Sequence, residues 1–104
     1  MATSYSYFRT LAPGATVTIT DEFEPGKVTG INAKQDTGLL DVSYYLVIGN
    51  KVITIEPIRF TGIGFEIPVS ILIKDKTPFT ITLTNYSAFI RNVSIVLSYY
   101  EGIK

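Results

Sequence analysis

The chain has 104 residues, 46% of them hydrophobic and 17% charged, with nine basic residues balancing nine acidic ones and neither histidine nor cysteine. That length suits one domain, residues 1–104, with a self-sufficient core, and the composition excludes disorder, a disulfide frame, ordinary zinc sites and triads built on histidine or cysteine. The basic residues are scattered, which excludes a phosphate-binding stripe and nucleic acid as a direct partner.

Taken in order, residues 4–11 alternate serine and tyrosine before Phe8 and Leu11, and predict an edge or terminal strand. Ala12-Pro13-Gly14 is a turn, because proline sets the first corner and glycine permits the second. Residues 15–20 form a strand with Val17 and Ile19 inward and Thr16, Thr18 and Thr20 outward. Residues 21–26 read as a charged loop closed by Pro25-Gly26. Residues 27–35 form a weaker strand carrying Val28 and Ile31, with a bulge or bend expected at Gly30.

Residues 39–56 predict a hairpin with Gly49-Asn50 as a two-residue turn. Counting back from that turn pairs Val47 with Val52, Leu46 with Ile53, Tyr45 with Thr54 and Tyr44 with Ile55, so that Leu46–Ile53 and Tyr44–Ile55 share one face and Val47–Val52 points outward. Pro57 ends this ladder, residues 58–60 start another strand, and residues 61–64 make a glycine-rich loop. A short strand over 65–67, a kink at Pro68 and an alternating run over 69–73 follow. The richest stretch is residues 77–102. Phe79, Ile81 and Leu83 alternate with threonines, and after a polar link over 85–91 the alternation resumes with Val93, Ile95, Leu97 and Tyr99. These runs read as antiparallel strands with one buried face, and the rest of the chain is organised around them. With β-branched residues abundant and no helical periodicity, the class is all-β. About eight short strands at this spacing predict an antiparallel two-sheet sandwich, jelly-roll favoured over immunoglobulin-like.

Few chemical motifs survive a bland alternative. Asp21, Glu22 and Glu24 cluster, with Asp36 and Asp41 elsewhere, but nothing sets the unequal environments that a hydrolytic carboxylate pair requires. Calcium would use the same oxygens, yet no Asp-x-Asp-x-Asp-Gly run exists. Gly62-x-Gly64 lacks the third glycine, lysine and helix of a phosphate loop, and is a flexible corner. Asn85-Tyr86-Ser87 and Asn92-Val93-Ser94 match the glycosylation pattern, but asparagine and serine are ordinary loop residues. No enzyme activity and no cofactor are expected. Tyr45, Tyr99 or Tyr100 would serve as a flat platform if a glycan were bound; the same rings also seal interfaces. The longest apolar run, residues 44–48, is too short to cross a bilayer, so no membrane insertion is expected. The start Met1-Ala2-Thr3-Ser4-Tyr5 lacks a signal peptide's basic and apolar regions, so synthesis in the cytoplasm is expected.

Leu11-x-Pro13-Gly14-x-x-Val17-x-Ile19 resembles the turn-and-strand opening of small jelly-roll proteins of virus and phage particles. Thr82-x-Thr84-Asn85, a loop, the run from Val93 to Tyr100 and then Glu101-Gly102 resemble their ending. The resemblance covers about a third of the chain and carries no functional residues across. It implies a virion component: a capsid, vertex, spike or decoration subunit, made in the host cytoplasm. The isoleucine-rich composition without cysteine or tryptophan would suit a thermophilic host. The expected function is therefore a non-enzymatic structural subunit, a homo-oligomer or a partner of other virion proteins. An interface is expected at the outward residues Tyr45, Val47, Val52, Val96 and Tyr100. The rival is a carbohydrate-binding or adhesion module on a cell or virion surface.

Overall fold

A computed structural model of the chain describes residues 2–53, 57–62 and 66–102. Among these residues nine strands run in the order β1 (Ala2–Leu11), β2 (Thr16–Phe23), β3 (Gly26–Gln35), β4 (Val42–Ile48), β5 (Lys51–Val52), β6 (Ile58–Phe60), β7 (Glu66–Ile73), β8 (Thr77–Asn85) and β9 (Arg91–Glu101). They form two antiparallel sheets, β1-β9-β3-β7 and β2-β8-β4-β5, with β6 also on β4. Since β8 fills one edge of β4, the short β5 and β6 share the other as one interrupted strand. Consecutive strands from β1 to β4 alternate between sheets, as do those from β7 to β9, and this order is that of a two-sheet jelly roll.

The two runs at the C-terminal end become the inner strands of the two sheets. β8 lies between β2 and β4, and β9 lies between β1 and β3. They do not pair with each other. Phe79, Ile81 and Leu83 of one sheet instead share the buried core with Val93, Ile95, Leu97 and Tyr99 of the other. Alternation in sequence thus becomes burial between layers, the arrangement that covers one face of each sheet. At one end of the core the Phe23 and Phe79 rings stack with centroids 4.2 Å apart. Tyr5 meets Phe23, Phe79 and Tyr99 edge-on.

The hairpin register is as the turn predicts near its tip. Val47 faces Val52 and Ile48 faces Lys51. The Ile53 N–H donates to the Leu46 carbonyl at 3.0 Å. Gly49 has φ of 60°, and no described non-glycine residue has positive φ, so the turn places its left-handed residue first. Farther from the tip, Tyr44 faces Ile58 of β6; Ile55 lies outside the described residues. Ile58, not a residue nearer the turn, is therefore the described partner of Tyr44 on this edge.

Three boundaries differ from expectation. Asp21 and Glu22 belong to β2, because that strand stays paired with β8 as far as Phe23. Residues 39–41 are loop, and β4 begins only at Val42. Pro68 does not break β7: the strand is an edge, where a missing donor is tolerated. The expected irregularity near Gly30 is present as a register shift between Val28 and Gly30.

Candidate interaction surface at the loop end

The end of the sandwich where β1 and β8 finish and β4 and β9 begin is built on buried polar side chains. Asn85, the last residue of β8, is fully buried. Its Nδ2 donates to the carbonyls of Leu11 at 3.2 Å, Ala12 at 3.1 Å and Phe89 at 2.8 Å. Its Oδ1 accepts from the Ser87 N–H at 2.9 Å and hydroxyl at 2.7 Å. One side chain thereby ties the 12–15 turn to the 86–90 loop. An amide committed in this way is closed to glycosylation in the fold, so the Asn85 acceptor pattern is structural.

Gln35, the last residue of β3, does the same for the 36–41 loop. Its Nε2 donates to the carbonyls of Leu39 at 2.7 Å and Phe60 at 2.9 Å, and to Asp41 Oδ1 at 3.1 Å. The Thr37 hydroxyl donates to its Oε1 at 2.6 Å. Gly62 closes over this loop, its N–H donating to the Thr37 carbonyl at 2.5 Å. A Cβ there would lie 2.6 Å from the Gln35 carbonyl and 2.7 Å from that of Thr37, so close approach of backbones explains this glycine.

The two loops are then clamped together. Arg91 Nη2 lies 2.8 Å from Asp41 Oδ2, and its Nε donates to Oδ1 at 3.3 Å. Those hydrogen bonds hold the Asp41 carboxyl below the usual carboxylate range, against the opposing effect of burial. The Tyr86 N–H donates to the Asp41 carbonyl at 2.8 Å, and the Tyr86 and Ser43 hydroxyls are 3.0 Å apart. Arg59 lies over the Tyr86 ring at 4.3 Å and donates to the Leu40 carbonyl at 3.2 Å. Upon this frame Leu39, Leu40, Phe89 and Ile90 project into solvent, with exposures of 59%, 58%, 67% and 60%. Large apolar side chains held outward in adjoining loops make this end a candidate interaction surface.

The residues expected at an interface are dispersed. Tyr45 and Val47 lie on the outer face of the β2–β8–β4 sheet, opposite Thr82 and Thr80. Beyond these, Thr20 and Thr18 continue the same rungs. Val52 faces Val47 in register. Val96 and Tyr100 lie on the other sheet, where Ser6 and Asn32 flank Val96 and Lys27 faces Tyr100. Tyr45 and Val47 thus lie on one outer face and Val96 and Tyr100 on the opposite one, so these residues form no single apolar patch. Strand alternation identifies outward residues, but it does not say which sheet each strand joins.

Tyr99 is buried, and its hydroxyl donates to the carbonyls of Glu24 and, at 2.8 Å, Pro25, so it offers no platform for a sugar. The acidic cluster is likewise divided. Asp21 accepts from the Tyr7 hydroxyl at 2.5 Å, which together with the Glu22 N–H lowers its pKa. Glu22 and Glu24 instead lie 3.8 and 3.7 Å from Lys76. A cleft of about 480 Å³ opens between the Gly49 turn and β7, with Asp75 the one carboxylate among its described lining residues. Among the described residues no group of three potential ligands is placed to hold a metal ion.

The apolar loop end is the feature that strand-pattern reasoning misses. Leu39 and Leu40 read as the start of a strand, and Phe89 and Ile90 vanish into a polar link. The available signal was large apolar residues inside segments otherwise rich in turn formers.

The fold and this surface define an all-β jelly-roll domain with an apolar loop end tied by buried side-chain hydrogen bonds. No protein-family model matches the sequence, and no curated protein does. Among solved structures the chain is similar to the mitogen derived from Yersinia pseudotuberculosis, with a TM-score of 0.59 and 12% identity. The match covers 100% of this chain and 92% of that one. Likeness at this identity concerns the fold alone.

Proposed function

We propose that the protein is a non-enzymatic assembly subunit of a virus particle, docking to its neighbours through the loop end. The observation that carries this reading is the quartet Leu39, Leu40, Phe89 and Ile90, exposed on loops that buried Asn85, Gln35 and the Asp41–Arg91 pair hold in place. A surface already ordered loses little conformational entropy on docking, so its apolar area contributes to affinity. Zero formal charge supports the same reading, since copies of the chain do not repel one another strongly. Double-sheet jelly rolls occur in both capsid and lectin domains, so the virion setting rests on fold analogy and the sequence resemblance.

The sugar-binding alternative has less support. Tyr99 is internal, Arg59 covers Tyr86, and the exposed Tyr100 faces Lys27 rather than a second ring. The test is sedimentation velocity on the intact chain and on a Leu40→Asp, Phe89→Asp variant. Association of the parent, weakened at least tenfold in the variant with an unchanged melting curve, is expected. Equal sedimentation of the two would overturn docking through the loop end, and binding on a glycan array would favour the alternative.

A further inference from the structure

The sandwich has four strand edges, and they are not equally protected. Edges expose unpaired N–H and C=O groups and invite pairing unless charges, prolines, bulges or interruptions blunt them. β7 carries Pro68 and lies against the register shift in β3. β2 carries Asp21 and Glu22. The β5–β6 edge is divided into pieces of two and three residues, with Pro57 ahead of the second. β1 has no proline, bulge or interruption. It spans ten residues without proline, in unbroken register with β9, and its one charged residue, Arg9, donates back to the Phe8 carbonyl.

We infer that β1 pairs antiparallel with β1 of a second copy, joining two four-stranded sheets into one across a twofold axis at Ser6. Antiparallel pairing places opposite residues on the same face, so inward residues must meet inward residues. A dyad at Ser6 satisfies this, bringing Ser6 to Ser6, Ser4 to Phe8 and Tyr5 to Tyr7. Tyr5 already belongs to the ring cluster of Phe23, Phe79 and Tyr99, so two Tyr5–Tyr7 cross-strand pairs would carry that cluster across the interface. A second copy is the partner argued for because this edge is self-complementary under one twofold rotation and the chain has zero formal charge. The inference rests on the assembly reading above, but uses a surface separate from the loop end.

The chain has no cysteine, so a single introduced thiol reports directly on the pairing. Residues opposed in an antiparallel pair have Cα atoms about 4.5–5.5 Å apart, within the range a disulfide spans. Ser6→Cys should give mostly crosslinked dimer under mild oxidation, whereas Ser70→Cys, equally exposed on β7, should give only a trace. As a second arm, Ser6→Lys and Ser6→Asp should each weaken association at least tenfold alone, and mixing them should restore it. Assembly of the parent chain without preferential Ser6 crosslinking or charge rescue would overturn edge pairing and leave the assembly reading standing. A parent chain that stays monomeric would overturn both.

Discussion

Tyr44 and Tyr99 are both buried tyrosines of the core, and their hydroxyls have opposite circumstances. The Tyr99 hydroxyl donates to carbonyls of the β2–β3 turn, whereas that of Tyr44 has no partner among the described residues. Burial alone pushes the Tyr44 pKa up to about 12. Tyr44→Phe removes a donor that gains nothing from folding, so it should leave stability unchanged or raise it. Tyr99→Phe removes a hydroxyl that ties the core ring to the Glu24 and Pro25 carbonyls and should cost about 0.5–1.5 kcal/mol, and urea unfolding of the two variants checks the contrast. Asp41 gives the acid response. Its folded pKa lies below the ordinary value, so its stabilisation is present above about pH 4 and is lost as pH falls through the folded value. Asp41→Asn should therefore melt earlier at pH 7 and lose less melting temperature than the parent between about pH 4 and 2, as a thermal scan across pH would read. Neither the Tyr44 hydroxyl nor the Asp41–Arg91 pair was legible beforehand. Asp41 and Arg91 are far apart in sequence, and periodicity carries no information about which loops meet.

At the scale of elements, the alternating runs were legible because one-sided burial imposes a period of two on each strand. This explains why β8 and β9 stood out: each is an inner strand, paired on both edges and buried along one whole face. Leu97 lies fully buried on β9. Leu97→Ala should cost about 2–5 kcal/mol through lost transfer energy and the cavity left behind, measured by urea unfolding. The Gly49-Asn50 turn was legible because its dipeptide and the flanking pattern demand one register. Gly49→Val should cost about 1 kcal/mol or more, since a β-branched residue resists the observed positive φ, while unchanged stability would contradict this turn. Farther from the tip Tyr44 faces Ile58, and the expected partner Ile55 lies outside the described residues. The pattern allows Tyr44 to meet Ile55 as readily as Ile58, because both would keep an apolar side chain beside it. Leu39 and Leu40 lie outside β4 for a local reason. Their apolar character matches a strand, but the Gln35 side chain captures the Leu39 carbonyl and holds the chain as a loop.

At the scale of the whole molecule, the sandwich was foreseeable while its surface was not. Each outward residue can be named from strand parity, yet Val47 and Val96 lie on different sheets because consecutive strands cross between layers. That crossing separates an apparent apolar set, with Tyr45 and Val47 beside threonines, Val96 between Ser6 and Asn32, and Tyr100 beside Lys27. It also gathers the 12–15, 36–41 and 86–90 connections around one polar frame, with the apolar quartet on the latter two. Substitution by lysine at both Val47 and Val52 should therefore alter association less than Leu40→Asp with Phe89→Asp, a ranking that light scattering at matched concentration would read. The most direct measurement is sedimentation velocity of the unmodified chain over a wide concentration range. The account predicts species of dimer size or larger, growing with concentration; a single 11.5 kDa component at every concentration would contradict it.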